Sequence, residues 1–287
     1  MILAINAGFY NTKVAAGGEV IVYPSRVQLN SDGEKTILDS KGIYEVGAGY
    51  RSLDDKTDNL THKLCTEYAI LVHSKAERIN LVVALPLNLY LNREYRERYK
   101  AKLLGEHKGI VDNTSKSVNV IDCTVYAEGA AAYLNYKDKF NDSVVGVLDF
   151  GGNTINCMVF DNGKLIKDTI STLDLGMIKL ERAIIDEINT QKLLNVQEYE
   201  LSEILKDKEY QDIIDRVINH HVSEVRQRLI EKKWNVDRMT IFATGGGSDQ
   251  LGKYIKYYFK KSVISETGLY DNVLGLAAAG AALYGGE

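Results

Sequence analysis

The chain has 287 residues, of which 45% are hydrophobic and 26% are charged, and its formal net charge at pH 7 is −4. A chain of this length forms one large domain or two lobes, with enough apolar residues for a sizeable core. The acidic balance argues against a general nucleic-acid-binding protein, which is usually basic. No apolar run approaches the roughly 18 residues that span a membrane. Three scattered cysteines without a C-x-x-C pair indicate buried, reduced thiols in a cytoplasmic protein.

The N-terminal segment predicts a strand, a polar turn and two further strands. Apolar residues over 2–5 are followed by the turn N-A-G-F-Y-N-T-K, which begins at Asn6, and by strands over 14–16 and 20–22. Lys13 in this turn can neutralise phosphate charge. The same pattern describes an ordinary hairpin with a surface lysine, so this motif alone decides nothing about function.

The next segment, up to residue 143, alternates short strands and helices. Residues 24–60 are rich in turns and predict a small β-rich subdomain at about 30–60, with a loop over 51–59. The apolar patterns then predict, in order, a half-buried helix over 64–74, a buried strand over 79–85, an exposed helix within 87–102 and a strand over 118–123. Glu128 follows and is predicted to open a helix rich in small residues. The helix dipole favours an acid in a first turn; a general base that faces bound phosphates is the alternative.

The central stretch, residues 144–156, reads V-V-G-V-L-D-F-G-G-N-T-I-N and predicts the same arrangement as the N-terminal hairpin. A buried strand ends at Asp149, breaks into the turn Gly151–Thr154 and continues as a second strand towards Asp161-Asn162-Gly163, a strong hairpin signal. Glycines let backbone N–H groups approach phosphate oxygens. A carboxylate can hold Mg²⁺ directly or through water. A plain hairpin with a tight turn is the alternative.

The rest of the chain predicts helices and a third glycine turn. Its elements are, in order, a strand over 166–171, a long helix opened by Asp174-Leu175-Gly176, a linker over 195–202, an amphipathic helix over 210–234, a strand over 239–243, a helix over 250–259 and a closing helix over 270–283. The turn T-G-G-G-S follows the strand at 239–243 and, lacking side chains, can pack flat against a base and ribose. A flexible loop is the alternative. Four small residues predict that the closing helix packs tightly: Gly275, Ala278, Ala279 and Ala282.

The order of these motifs resembles the actin / sugar kinase / heat-shock ATPase superfamily over nearly the whole chain. Within it, residues 82–90, 149–154 and 173–179 look like those of ParM/AlfA-type plasmid-segregation actins. The resemblance implies an α/β, actin-like fold of two lobes, each with a mixed five-stranded sheet flanked by helices, with the nucleotide in the cleft between them. Lobe I would comprise residues 1–143 with 268–287, and lobe II residues 144–267. The outer subdomain of lobe II would be reduced, since no β run is evident between Asp174 and Met239.

The resemblance also implies roles for individual residues. Glu128 would orient the attacking water and Asp149 would hold Mg²⁺, assisted through water by Asn6; these are the catalytic and metal-binding predictions. The residues that would bind ATP, or GTP in its place, are Gly8, Asn11, Thr12 and Lys13 in the first phosphate loop, Gly151, Gly152, Asn153 and Thr154 in the second, Gly176 and Lys179 on the ribose side, and Gly245, Gly246, Gly247 and Ser248 around the adenosine. The first loop of this family normally begins with an acid. Because Asn6 brings no charge, we expect slow hydrolysis.

The implied function is an ATPase that polymerises head-to-tail with ATP and segregates plasmid DNA through a separate DNA-binding adaptor protein. It would act in the cytoplasm, without direct contact with nucleic acid or membrane. Two other functions stay open on the same fold: a small-molecule kinase, and a nucleotide-binding scaffold of low turnover for division or pilus assembly. A kinase needs a catalytic Asp beside the γ-phosphate, for which Glu128 is a poor match.

Overall fold

The computed structural model describes residues 1–49, 59–140 and 143–285, and these contain fourteen strands and nine α-helices. The strands are β1 (Ile2–Ala7), β2 (Asn11–Ala16), β3 (Glu19–Pro24), β4 (Val27–Leu29), β5 (Thr36–Asp39), β6 (Gly42–Val46), β7 (Arg78–Leu85), β8 (Gly105–Val111), β9 (Thr114–Ala127), β10 (Val144–Phe150), β11 (Ile155–Asp161), β12 (Lys164–Leu173), β13 (Thr240–Thr244) and β14 (Ser262–Ile264). The helices are α1 (Leu60–His73), α2 (Leu87–Leu91), α3 (Arg93–Leu103), α4 (Ala130–Tyr136), α5 (Met177–Lys192), α6 (Leu201–Ile204), α7 (Gln211–Glu231), α8 (Gly252–Tyr258) and α9 (Asp271–Tyr284).

The chain divides into two compact units. The N-terminal unit consists of Met1–Lys137 and Tyr270–Glu287, and the C-terminal unit of Asp138–Leu269. The sequence-based boundaries, after residues 143 and 267, lie close to these positions. The predicted loop over 51–59 falls outside the described residues except for Asn59, whose side chain caps α1 by accepting a hydrogen bond from the His62 amide at 3.2 Å.

The sheet of the N-terminal unit has nine strands in the order β3-β2-β1-β7-β9-β8-β5-β6-β4. The first five form the predicted mixed sheet, but the sheet continues because β9 is 14 residues long and pairs with β8 over its first half. Strand β8 pairs in turn with β5, and β5, β6 and β4 form the small β-rich part of the sheet. Strand β8 and the first part of β9 were not predicted from the sequence. They are joined by a turn at Asp112 and Asn113, whose φ angles of 49° and 58° are typical of a tight hairpin.

The sheet of the C-terminal unit has five strands, the number that the resemblance implied, in the order β12-β11-β10-β13-β14. Strands β10, β11 and β12 are antiparallel, whereas β10, β13 and β14 are parallel. Within the described residues, no strand lies between β12 and β13, and this segment is helical as the sequence pattern indicated. The short strand β14 was not predicted. Parallel strands end at one edge of a sheet, so the turns that follow β10 and β13 lie side by side.

Two cores hold the N-terminal sheet between helices. Helix α1 buries Leu64, Tyr68 and Leu71 against one face. Helices α4 and α9 pack together on the other face, around residues that include Val82 and Leu276. The segment predicted as an exposed helix within 87–102 is two helices, and α3 is only partly exposed because three of its residues are buried: Tyr95, Tyr99 and Leu103.

The packing of the closing helix corrects part of the prediction. Gly275 and Ala279 are buried, but Ala278 and Ala282 are exposed to solvent. A Cβ on Gly275 would lie 1.8 Å from the backbone oxygen of Ala131 in α4. The close approach of the two helices therefore depends on Gly275 rather than on a stripe of four small residues.

Other sequence-based expectations concern cysteines and membrane segments. Cys65, Cys123 and Cys157 are free and buried, as predicted. None of the helices in the described part of the chain combines the length and apolarity needed to cross a bilayer.

A buried histidine links three elements of the N-terminal unit. His107 Nδ1 lies 2.8 Å from a carboxylate oxygen of Glu67, and Nε2 lies 3.0 Å from the carbonyl oxygen of Leu103. Burial alone would lower the pKa of His107, but the Glu67 carboxylate and the Leu103 carbonyl raise it above its ordinary value. Because both ring nitrogens face acceptors, the charged imidazolium fits this site best.

Because the pKa of His107 is raised in the folded protein, protonation of His107 stabilises the fold. This contribution to the free energy of unfolding is fully present below about pH 6.5. This term is lost as the pH rises through the folded-state pKa. We therefore expect the melting temperature of the protein to fall more between pH 6 and pH 8.5 than that of Glu67→Gln, which lacks the carboxylate. Thermal melts of both proteins at the two pH values test this. An equal fall in both would refute the role of the pair.

Candidate functional site

A single amide closes the turn between β1 and β2. The Gly8 N–H donates to the backbone oxygens of Asn6 at 3.2 Å and Asn11 at 3.0 Å. A Cβ on Gly8 would lie 3.0 Å from the same Asn11 oxygen, tighter than most real contacts, so this position favours glycine. Lys13, which pairs with Asn6 in the sheet register, is only 9% exposed, and the buried Thr12 hydroxyl lies 2.9 Å from that of Ser25.

The turn between β10 and β11 repeats this geometry. The Gly151 N–H donates to the backbone oxygens of Asp149 and Thr154, both at 3.0 Å. A Cβ on Gly151 would lie 2.9 Å from the Thr154 oxygen. Asp149 stands where the first hairpin has Asn6, at the end of the incoming strand, and is 3% exposed. The two predicted hairpins are therefore equivalent turns, one in each unit, that differ in the residue at the strand end.

The start of α5 covers the second turn. The amides of Gly176, Met177 and Ile178 donate to the backbone oxygens of Asn153, Gly151 and Gly152, at 3.2, 3.0 and 2.9 Å. A Cβ on Gly176 would lie 2.2 Å from the Asn153 carbonyl carbon. Amides of a helix start have no partner within the helix. Here they hold the turn in place, so Gly176 has a packing role that sequence analysis did not foresee.

The glycine turn after β13 packs against Asp149. Gly245 has a φ of +86°, and a Cβ there would lie 2.5 Å from Asp149 Oδ1 and 2.6 Å from the Phe150 oxygen. The Ser248 hydroxyl donates to the Gly245 oxygen at 2.8 Å. Gly245, Gly247 and Ser248 are buried and hold the turn, whereas Gly246 is exposed. Of the four residues predicted to bind adenosine, Gly246 is thus the one open to solvent.

Gly268, which was not among the predicted site residues, supports this turn. Its carbonyl oxygen accepts a hydrogen bond from the Gly245 amide at 3.2 Å. A Cβ on Gly268 would lie 2.5 Å from Ser248 Oγ. The E-T-G-L sequence after β14 is a turn signal, but its meaning depends on the parallel pairing of β13 with β14.

Comparisons with known proteins agree with this arrangement. Residues 4–130 match the family described as actin-like proteins, N-terminal domain. Among similar solved structures, a 15-stranded ParM filament from Clostridium botulinum is 16% identical, with 97% of this chain and 98% of that chain covered and a TM-score of 0.81. The Alp12 filament structure is 21% identical, with 99% and 98% covered and a TM-score of 0.73. An archaeal actin homologue, Ta0583, in complex with ADP is 16% identical, with 97% and 98% covered and a TM-score of 0.79.

The chain has an actin-like fold. The actin-like fold that the resemblance implied is confirmed, and the match of residues 4–130 agrees with it. No curated protein matches the sequence. Each actin-like unit places one glycine hairpin at the edge where its parallel strands end.

Glu128 lies at that edge of the N-terminal actin-like unit. Strands β1, β7 and β9 are parallel neighbours in the sheet, so the turn after Asn6 and the residue after β9 are at the same edge. The Glu128 amide donates to the Leu85 oxygen at 2.8 Å. The prediction that Glu128 opens a helix was wrong, because α4 begins at Ala130 and Gly129, with a φ of +77°, separates it from β9. A helix dipole therefore does not explain this acid.

Lys179 lies at the surface of the C-terminal unit, and a histidine of α7 lies in its core. Lys179 is exposed on α5, and its Nζ lies 3.0 Å from the Asp174 backbone oxygen and 3.5 Å from its carboxylate. His221 is buried in α7, where burial lowers its pKa, whereas its neighbour His220 is exposed. Among the described residues, no group of three or more His, Cys, Asp or Glu side chains could hold a metal ion.

Each hairpin, taken by itself, ends its incoming strand with a side-chain oxygen of a kind that suits a hydrated Mg²⁺. The side-chain oxygen of Asn6 is buried and accepts no hydrogen bond from any described residue. A buried acceptor of this kind is costly unless a ligand or water supplies a donor. Mg²⁺ keeps several waters and is usually held by one or two carboxylates together with substrate phosphates. In the C-terminal unit Asp149 offers a carboxylate of this kind, and in the N-terminal unit Asn6 offers an oxygen that can accept a hydrogen bond from water.

Proposed function

We propose that this actin-like protein is an ATPase that polymerises with ATP and segregates plasmid DNA through a separate adaptor protein in the cytoplasm. The observation that carries the proposal is the pair of equivalent glycine hairpins, with Asn6 and Asp149 at the ends of their incoming strands. Similar structures are described as filaments of ParM and Alp12, and one similar structure is a complex with ADP. The acidic net charge of −4 favours an adaptor over direct DNA contact.

The proposed roles follow from the chemistry of the residues. Backbone amides of the two turns bind the phosphates of ATP, or of GTP in its place, and Lys13 neutralises part of their charge. Asp149 would hold Mg²⁺, with Asn6 assisting through water, and the bound ion would shield the phosphate charge. Glu128 orients the attacking water. The exposed backbone of Gly246 packs beside the adenosine, and Gly176 and Lys179 lie on the ribose side.

Sedimentation with ATP, ADP or no nucleotide tests this function. We expect the protein to pellet with ATP and to release phosphate. The Glu128→Ala variant should still pellet but release phosphate about 100-fold more slowly, which is typical for the loss of a residue in general acid–base catalysis. Glu94→Ala, on the exposed start of α3, is the matched control and should behave like the unmodified protein. Loss of assembly in Glu128→Ala with normal phosphate release would contradict the role of Glu128.

The neutral Asn6 favours one alternative, the scaffold of low turnover. A protein that pellets with ATP but releases no phosphate would support the scaffold. A protein that stays in the supernatant and consumes ATP only with a second substrate would instead be a small-molecule kinase.

A variant of Asn6 separates a ligand-binding role from a structural one. Leucine has a shape similar to that of asparagine, so Asn6→Leu removes the buried oxygen without a large change in volume. A buried oxygen that has no hydrogen-bond donor lowers the stability of the fold by about 1–3 kcal/mol. We expect the melting temperature without nucleotide to stay equal or rise, and the affinity for Mg-ATP to fall about tenfold. Thermal melts and calorimetry measure the two quantities. A lower melting temperature with unchanged Mg-ATP affinity would show that Asn6 is structural.

A further inference from the structure

The two peptide groups that flank Glu128 are both held by hydrogen bonds. The Glu128 amide donates to the Leu85 backbone oxygen, at the end of β7, at 2.8 Å. The next amide, that of Gly129, donates to the side-chain oxygen of Asn272, in the first turn of α9, at 2.8 Å. Because a peptide group is planar, these two bonds restrain the planes on both sides of the Glu128 Cα. They therefore restrain the direction in which the Glu128 side chain leaves the backbone.

The Gly129 amide has no acceptor within α4. Gly129 is the cap residue before this helix, and its backbone oxygen accepts the Tyr133 amide at 2.9 Å. Its φ of +77° suits glycine, which brings no side chain that could cap the helix. Gly129 is buried, and a buried amide without an acceptor lowers the stability of a fold. The acceptor therefore has to come from another element.

Asn272 supplies that acceptor from 143 residues further along the chain. Asparagine is a weak helix former, and only 6% of Asn272 is exposed. A buried polar side chain of this kind is normally hydrogen-bonded. The bond to the Gly129 amide thus gives a physical reason for an asparagine at the second position of α9.

The close packing of α4 and α9 brings the Asn272 side chain within reach. Gly275 lies one turn further along α9, against the backbone oxygen of Ala131 in α4, and leaves no room there for a Cβ. Rigid backbone on both sides of this contact holds the start of α9 in one position relative to Gly129. The acceptor is therefore placed by tertiary packing, and the bend that follows Glu128 depends on it.

We propose that Asn272 is a positioning residue for Glu128 in the hydrolysis of ATP. By holding the Gly129 amide, Asn272 keeps the Glu128 side chain in one orientation at the edge where β1, β7 and β9 end. Glu128 orients the attacking water, and Asn272 acts on Glu128 only through the backbone. The inference rests on the proposed function and adds to it a residue that lies outside the phosphate turns.

Asn272→Leu tests this role because leucine has a similar shape but no acceptor. We expect kcat for phosphate release to fall about tenfold, less than for Glu128→Ala, since Glu128 is misdirected rather than lost. The KM for ATP should stay within about twofold, because no residue assigned to ATP binding has changed. Asn272→Asp keeps the acceptor oxygen and should retain kcat to within about threefold. An unchanged kcat in Asn272→Leu, or equally slow Asn272→Asp and Asn272→Leu proteins, would overturn the inference.

A double variant shows whether Asn272 acts through Glu128. If it does, Glu128→Ala with Asn272→Leu should release phosphate about 100-fold more slowly than the unmodified protein, as Glu128→Ala does alone. Independent effects would multiply to about 1,000-fold. That result would show that Asn272 supports the fold in general and does not position Glu128.

Hydrogen exchange measures the backbone bond without nucleotide. We expect the Gly129 amide to exchange slowly in the unmodified protein and at least about tenfold faster in Asn272→Leu. Asn135→Ala is the matched control: this exposed asparagine of α4 bonds Asp271 of α9 at 3.4 Å but not the Gly129 amide. It should change neither the exchange at Gly129 nor kcat. Rapid exchange of Gly129 in the unmodified protein would contradict the inference.

The outcomes separate this inference from the proposed function. If the unmodified protein releases no phosphate with ATP, the proposed function fails and the inference fails with it. If Glu128→Ala is slow and Asn272→Leu is as fast as the unmodified protein, the proposed function stands and only the inference is wrong. Thermal melts show that each variant is folded at the assay temperature. Should Asn272→Leu not fold, Asn272→Ser replaces it, because the serine hydroxyl is too short to reach the Gly129 amide.

Discussion

Replacing Gly275 by alanine is expected to destabilise the N-terminal unit by about 3 kcal/mol, the upper range for an overpacked core. The new Cβ would lie 1.8 Å from the backbone oxygen of Ala131 and 2.6 Å from its carbonyl carbon. Backbone atoms of a packed helix cannot move aside as the end of a long side chain can. Helix propensity alone predicts that Gly275→Ala stabilises the protein, since alanine is favoured over glycine within a helix by about 1 kcal/mol.

The matched control is Gly252→Ala in α8. The nearest atom to its new Cβ is Ile264 Cγ2 at 4.0 Å, an ordinary contact. We expect this variant to be unchanged or slightly more stable than the unmodified protein. Thermal and urea unfolding of both variants measure the difference. A melting temperature of Gly275→Ala at or above that of the unmodified protein would show that α4 and α9 separate without cost.

The Gly275→Ala substitution should also change the backbone position at the candidate site. The Gly129 amide, one residue after Glu128, donates to the Asn272 side chain of α9 at 2.8 Å. A shift of α9 relative to α4 therefore moves the backbone beside Glu128. We expect the folded fraction of Gly275→Ala to release phosphate more slowly than the unmodified protein.

Replacing Gly245 by alanine should strongly destabilise the C-terminal unit. A φ of +86° is strained for any residue with a Cβ, and the new atom would lie 2.5 Å from Asp149 Oδ1 and 2.6 Å from the Phe150 oxygen. Strain and clash together should cost about 3 kcal/mol. Because the clash involves the carboxylate assigned to Mg²⁺, the affinity for Mg-ATP should fall as well.

Gly246→Ala is the neighbouring control with the opposite expectation. Its new Cβ would meet only Leu269 Cδ1, at 3.3 Å, and the residue is exposed. Surface changes of this kind usually alter stability by no more than about 0.5 kcal/mol. We expect unchanged melting without nucleotide and weaker binding of ATP, measured by thermal melts and calorimetry. Equal stability of the two variants would mean that the turn relaxes and does not constrain Asp149.

Local turn chemistry made the two hairpins predictable from the sequence. Each consists of an apolar strand, a polar residue at its end, a glycine and a second apolar strand, and such signals act within a few residues. The hairpin at Asn162 and Gly163 was predictable for the same reason, and their φ angles of 47° and 76° agree with it. The helical segment before β13 also followed from periodicity, because long apolar patterns depend little on distant residues, whereas the five-stranded sheet was implied by the family resemblance.

The tertiary structure decided what local patterns could not. Strands β8 and β14 are defined by the neighbours they pair with, and β9 extends the sheet to nine strands through such pairing. Glycines that look alike in the sequence differ in role: Gly245 and Gly275 have backbone atoms of distant residues against them, whereas Gly246 is open. The sequence by itself determined where the chain turns and which segments are strands or helices. Only packing determined which atoms meet at each turn, because those contacts join residues far apart in the chain.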